Sequence, residues 1–314
     1  MPRRREAPAL DTLAVILSAP RELTLQRLAL TRAAADDVVV DVEWSGVSTG
    51  TERLLWSGEM PPFPGMGYPL VPGYETVGRI AGGARDGERV FVPGARCFGP
   101  VHGLFGGAAS RLVVPGARAI PIGDGLGEGG VLLALAATAQ HAMAGFTPPD
   151  LIVGHGVLGR MLARLALLAG GSPTVWERDP DRLDGASGYP VLDPNSDTRR
   201  DYRTIYDASG DAGLLDRLVG HLAPGGEIVL AGFYATRLSF AFPPAFLREA
   251  RFRVAAQWQP RDLRTVRDLA VAGRLDLDGL ITHRRAAETA PEAYRTAFGD
   301  PACLKMILDW RSCA

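Results

Sequence analysis

One six-residue turn constrains this chain more than any other feature: Gly154-His155-Gly156-Val157-Leu158-Gly159. An apolar run, Leu151-Ile152-Val153, precedes it, and an Ala/Leu-rich helical stretch, 158–168, follows it and stops at Gly170-Gly171. Strand, glycine turn and helix together are the context in which G-x-G-x-x-G binds a dinucleotide. Gly154 permits the tight turn, Gly156 admits a pyrophosphate against the backbone, and Gly159 lets helix and strand pack closely. Val157 and Leu158 then carry N–H groups at the helix amino end, where the dipole favours phosphate. His155 is expected to face the pyrophosphate or ribose. Glu177 lies 18 residues past Gly159 and ends the next apolar run, Thr174-Val175-Trp176. A carboxylate there accepts both adenosine ribose hydroxyls and repels a 2′-phosphate, so NAD is the expected cofactor, with Arg178 beside it.

Strands and helices alternate onward from the turn. Ile205-Tyr206-Asp207, Glu227-Ile228-Val229-Leu230 and Phe252-Arg253-Val254-Ala255-Ala256 read as further strands. Such alternation implies a parallel sheet with right-handed crossovers. The stretch 178–204 is thin in helix signal, which predicts a trimmed doubly wound sheet. Ser209, Gly232 and Phe233 follow two of these strands and are expected to line the cofactor cleft, since ligands bind at strand carboxyl ends.

The chain before this region reads differently. Val38 to Trp44, Arg89 to Val92 and Arg111 to Val114 are short β-rich runs punctuated by Gly and Pro. A small-residue helix is expected over 130–144, and amphipathic helices over 261–272 and 291–298, before a closing strand over 304–308. The predicted division is a disordered tail at 1–12, a β-rich domain at 13–147 that resumes at 262–314, and a dinucleotide-binding domain at 148–261. Arg3, Arg4 and Arg5 lie in the tail; a polybasic membrane contact there is the alternative to plain disorder.

Formal net charge is −1, so no global field draws nucleic acid. No apolar run reaches the roughly 18 residues of a membrane helix. Cys97, Cys303 and Cys313 are odd in number and widely spaced, which argues against disulfides or a four-cysteine zinc site and suits a cytoplasmic location.

This order of parts resembles the medium-chain dehydrogenase/reductase superfamily. The resemblance implies a GroES-like β-barrel catalytic domain plus a doubly wound Rossmann domain, and commonly a homodimer joined through Rossmann sheet edges. Members typically carry G-x-C-G-T-D, G-H-E and G-D-R-V. This chain reads Gly46-Val47-Ser48-Thr49-Gly50-Thr51-Glu52, Gly73-Tyr74-Glu75 and Gly87-Glu88-Arg89-Val90. Ser48 or Thr49 stands where zinc-dependent members have a cysteine ligand, and Tyr74 where they have histidine. Neither hydroxyl is a competent zinc ligand at neutral pH, so a metal-free site is expected. A zinc-free branch of the superfamily, the dehydrogenases of bacteriochlorophyllide hydroxyethyl groups, is similar over Ser48–Glu52, Met60–Glu75, Gly103–Ala109 and Cys303–Trp310. That resemblance implies oxidation of a macrocycle's hydroxyethyl group to acetyl with NAD.

Without zinc another group must hold the alkoxide. The expected arrangement is a hydroxyl relay in which Ser48, Thr49 or Tyr74 bonds the substrate oxygen and Glu75 tunes or accepts the proton. The competing reading is that Ser48 and Thr49 cap a helix beginning near Glu52 and Tyr74 packs. Met60, Phe63, Met66 and Tyr68, with Trp56 nearby, are expected to line a flat apolar tetrapyrrole pocket or, equally, to pack a core. His102 is the candidate axial ligand to a ring magnesium. Lys305 is expected to reach the cofactor or a substrate carboxylate, or to stand as a solvated strand-end charge. The alternative functions are a zinc-free quinone or enoyl reductase and a non-catalytic tetrapyrrole carrier.

Overall fold

A computed structural model describes residues 10–62 and 64–313. Phe63, the arginines at positions 3 to 5 and most of the expected tail lie outside the described residues. The chain divides into two compact units. One is formed by the chain up to Val131 with His283–Phe298 and the residues from Met306; the other comprises Leu132–Thr282 and Gly299–Lys305. The helices are α1 (Thr51–Ser57), α2 (Leu133–Met143), α3 (Val157–Leu168), α4 (Leu215–His221), α5 (Phe242–Leu247), α6 (Pro260–Val271) and α7 (Ala290–Gly299).

The first unit is built on the long strand Asp37–Val47, which pairs antiparallel with Thr76–Ala81, Arg111–Pro115 and Met306–Asp309. Its β-branched run explains its length, and a register shift between Val42 and Trp44 lets it serve so many partners. Close approach is required at Gly78, where a Cβ would stand 2.3 Å from the Asp41 carbonyl oxygen. A second sheet orders Glu22–Ala29, Asp11–Ala19, Leu70–Val71 and His102–Gly103. Asp11 and Thr12, expected in the disordered tail, instead open a strand. Thr12 is buried; its Oγ sits 3.3 Å from Ser110 Oγ and accepts the Arg111 N–H.

The second unit holds a six-stranded, all-parallel sheet ordered Val191–Leu192, Thr174–Trp176, Leu151–Val153, Tyr202–Asp207, Leu222–Leu230, Arg251–Val254. This is the 3-2-1-4-5-6 order of the doubly wound fold, whose direction reverses beside Leu151–Val153. Between Trp176 and Tyr202 the chain forms only a 3-10 turn, Pro180–Arg182, and one short strand. Asp197 stands in for packing there: it is buried and accepts from Trp176 Nε1, the Tyr202 hydroxyl and the Arg199 N–H. This unit opens at Leu132 rather than 148 and runs to Thr282 rather than 261. The cause is α2, whose buried alanines and leucines pack on α3 and α6; His141 Nδ1 also bonds Asp262 at 2.8 Å.

Candidate active site

In the second unit, the glycine turn connects Leu151–Val153 to α3. Gly154 has φ of 96°, in the left-handed region open to glycine. A Cβ on Gly159 would stand 1.8 Å from the Gly154 carbonyl oxygen, so only glycine lets the helix begin this close to the strand. Gly156, by contrast, has open space where a Cβ would project, and it caps α3 without any side-chain hydrogen bond. The N–H groups of Val157 and Leu158 thus stand at an uncapped helix start beside bare backbone. That cradle fits a pyrophosphate. Neighbouring strand ends crowd the turn: a Cβ on Gly154 would lie 3.3 Å from Ser209 Cα, and one on Gly232 would lie 2.9 Å from the Gly210 nitrogen.

Several expected cofactor residues are placed otherwise. The His155 imidazole does not face an open turn. It is fully buried; Nδ1 donates to the Arg182 carbonyl at 2.6 Å, which leaves Nε2 to accept from the Tyr189 hydroxyl at 2.9 Å. Burial first, with the Arg160 guanidinium beside it, pulls its pKa down from 6.5 to about 4. Arg160 is also buried and donates to the carbonyls of His155, Arg182 and Asp184. His155 and Arg160 therefore clasp the segment that follows Glu177. Ser209 is turned back on Asp207, to which it donates both N–H and Oγ–H. The other Asp207 oxygen is buried without a partner, and burial raises that carboxyl's pKa. Phe233 is half exposed. Lys305 is fully buried, which removes the solvated strand-end reading.

Glu177 is buried, and its carboxylate already accepts three backbone N–H groups, from His155, Arg178 and Asp179. A carboxylate offers about four lone-pair sites. One therefore remains for a ribose hydroxyl, not the two bonds expected. Arg178 extends into solvent, 3.7 Å from Asp211.

In the first unit, Ser48 follows the strand Asp37–Val47, and α1 begins three residues later. Gly50, not Ser48 or Thr49, occupies the cap position, so neither hydroxyl is spent on capping α1. The Tyr74 hydroxyl donates to Ser48 Oγ at 2.7 Å and lies 3.4 Å from Thr51 Oγ1. The Ser48 hydroxyl hydrogen is thereby directed to another acceptor. Thr49 is partly exposed beside it. Glu75 is fully buried against Gly46, where a Cβ would lie 2.2 Å from Glu75 Oε2. Burial first, and the Glu75 carboxylate second, push the Tyr74 phenol well above its ordinary pKa. Tyr74 is held as a neutral donor. Glu52 and Tyr294 complete this cluster: Glu52 accepts from the Ser48 N–H at 2.9 Å and from the Tyr294 hydroxyl at 2.7 Å. Sequence reasoning missed both. Glu52 sits inside the matched Ser48–Glu52 motif, whereas Tyr294 carries no local signal. Arg160, a cation placed directly after Gly159 in an apolar helix, was a signal available and unused.

Met60 does not line a pocket. The left-handed Gly58 ends α1 and reverses the chain, which buries Met60 among Leu17, Leu55, Leu70 and Leu104. Trp56, Met66 and Tyr68 pack partly buried against that cluster, and the Tyr68 hydroxyl donates to the Leu55 carbonyl. His102 is exposed on its short strand, near Gly67. Among the described residues no three His, Cys, Asp or Glu side chains gather as a metal site, and no helix is long and apolar enough to cross a membrane.

The fold is that of the alcohol dehydrogenases. It superposes on 2R,3R-butanediol dehydrogenase from Bacillus subtilis with a TM-score of 0.80 at 16% identity, covering 95% of this chain and 99% of that one. A dehydrogenase from Escherichia coli CFT073, solved with NADH, gives 0.80 at 21% identity over 95% and 99%. No protein-family profile matches. Full-length relatives are nearer. The chain is 58% identical to the 2-desacetyl-2-hydroxyethyl bacteriochlorophyllide A dehydrogenase of Rhodobacter capsulatus, covering 96% of this chain and 99% of the relative. Its namesake from Cereibacter sphaeroides is likewise 58% identical over 96% and 99%. The L-galactonate-5-dehydrogenase of Escherichia coli is 25% identical over 89% and 93%. The chain belongs to the 2-desacetyl-2-hydroxyethyl bacteriochlorophyllide A dehydrogenase family.

Proposed function

We propose that this chain oxidises the hydroxyethyl side chain of a bacteriochlorophyllide to acetyl, with NAD as hydride acceptor. Full-length likeness to dehydrogenases named for that substrate carries the reading. The oxidation removes a hydride from the carbinol carbon and a proton from its oxygen, leaving a ketone. NAD, when bound, supplies the acceptor for the hydride. Gly154, Gly156 and Gly159, with the N–H groups of Val157 and Leu158, hold its pyrophosphate, and Glu177 its adenosine ribose. Ser48, assisted by Thr49, bonds the substrate oxygen. Tyr74 stays protonated and fixes the Ser48 hydroxyl, and Glu75 accepts the alcohol proton. No metal is assigned to this site: two hydroxyls replace the nitrogen and sulfur donors zinc prefers. The three free cysteines fit a cytoplasmic enzyme.

The test is absorbance of the purified protein mixed with the hydroxyethyl pigment and NAD or NADP. Acetyl pigment should form with NAD, and Tyr74→Phe and Ser48→Ala should each lower kcat about 100-fold. Wild-type turnover in both variants would overturn the roles of Ser48 and Tyr74. Tight pigment binding without NADH would favour a carrier, and NADPH-dependent loss of a conjugated C=C bond a reductase.

The homodimer finds support at the sheet edge Arg251–Val254. Val254 is 74% exposed there, and Phe242, Phe246 and Leu247 of α5 are 68%, 65% and 79% exposed. An open edge strand can pair with its own copy about a two-fold axis. Light scattering should give twice the chain mass, and Val254→Lys with Phe246→Glu should halve it. A mass of one chain in the wild type would overturn the homodimer.

A further inference from the structure

We infer that Glu52 and Tyr294 form a positioning pair that holds Ser48 in the geometry Tyr74 requires, so that α7 completes the alcohol-binding site. The inference rests on the reading of Ser48 and Tyr74 above. Glu52 clasps Ser48 twice: its carboxylate accepts the Ser48 N–H at 2.9 Å, and its own N–H donates to the Ser48 carbonyl at 3.1 Å. Ser48 is thereby tied at both main-chain polar groups to one residue of α1. Its remaining freedom is the side-chain torsion, which the Tyr74 hydroxyl selects at 2.7 Å.

The clasp works only if Glu52 itself is fixed. Glu52 is fully buried, and a buried carboxylate is tolerated when its oxygens are bonded. The oxygen not used by Ser48 accepts from Tyr294 at 2.7 Å. Tyr294 is fully buried too, and its ring lies edge-on to Phe298 at 5.6 Å. Burial, then the Glu52 charge, raise its pKa well above the ordinary tyrosine value, so it donates rather than ionises. Tyr74 and Glu75 are the other titratable groups coupled to this pair. Neither Glu52 nor Tyr294 is assigned contact with substrate.

Tyr294→Phe, Glu52→Gln and Glu52→Ala test the inference in the full-length enzyme, with active sites counted by NADH titration. Tyr294→Phe should lower kcat per site about 10-fold or more while KM for NAD stays at the wild-type value. Glu52→Gln should restore most of the rate lost in Glu52→Ala, because the amide oxygen still accepts the Ser48 N–H and the amide NH2 can meet Tyr294. If Glu52→Ala does not fold, the other two variants still decide. Wild-type kcat per site in Tyr294→Phe, with only the melting temperature lowered, would overturn the inference. So would a Glu52→Gln enzyme as slow as Tyr294→Phe, which would point to charge rather than position. Loss of rate in Ser48→Ala with none in Tyr294→Phe sinks the pair and leaves the Ser48 reading intact. Full rate in Ser48→Ala sinks both.

Discussion

His155 should make the second unit sensitive to acid in a way that one substitution removes. In the folded protein its pKa lies near 4 rather than 6.5, chiefly because the ring is buried and next because Arg160 stands beside it. The neutral ring donates to Arg182 and accepts from Tyr189; a second ring proton would break the bond from Tyr189. The folded pKa is depressed, so the unfolded chain takes up the proton first as pH falls. The stability contribution is whole above the unfolded value and is lost between 6.5 and about 4. Between about pH 7.5 and about pH 5 the two-pKa linkage gives a loss of about 2 kcal/mol. His155→Gln keeps one donor and one acceptor but cannot titrate. Urea unfolding of both proteins, followed by tryptophan fluorescence, should show the wild type losing about 2 kcal/mol more than the variant over that interval. His221, whose pKa is also lowered by burial, acts alike in both and cancels in the difference. Parallel pH profiles would refute the reasoning, and with it the buried placement of the imidazole.

The other expectations concern packing. Gly159→Ala puts a methyl 1.8 Å from the Gly154 carbonyl oxygen, so NADH binding, read by fluorescence titration, should weaken at least 10-fold even in whatever fraction folds. Met60→Ala empties a buried site among Leu17, Leu55, Leu70 and Leu104 and should cost about 2–5 kcal/mol in urea unfolding. A changed KM for pigment at unchanged stability would return Met60 to the substrate pocket.

The parts of this molecule that were legible in sequence are those whose physics is local. The glycine turn is read from residues that lack side chains, and their spacing follows from helix and strand packing within a few residues. The acid at Glu177 follows from the next strand's length. The trimmed region after it was legible for the same reason: Asp/Pro pairs and scattered arginines cannot sustain a helical face. The direction of the His155 ring was not, because Arg182 and Tyr189, its partners, come 27 and 34 residues later, one at the end of a single 3-10 turn and one in a loop. The sequence left Met60 open between pocket and core, because its burial depends on a left-handed glycine two residues earlier, not on its own composition.

The proposed alcohol site lies at the far end of that scale. In a zinc site the ligands announce themselves, because thiolate and imidazole at fixed spacing have few other uses. Serine, threonine and tyrosine have many, so their presence at Ser48, Thr49 and Tyr74 says first what is missing and only weakly what replaces it. The roles proposed for them come from partners. Tyr74 is a neutral donor because it is buried beside Glu75, and Ser48 is fixed because Glu52 grips its main chain. Tyr294, 242 residues from Glu52, fixes that grip in turn. A site that works by hydrogen bonding rather than coordination needs its second layer of residues to define its first. That second layer reaches the site through the fold, by the return of roughly the last thirty residues to the unit built on the strand Asp37–Val47, and no spacing in the sequence encodes it.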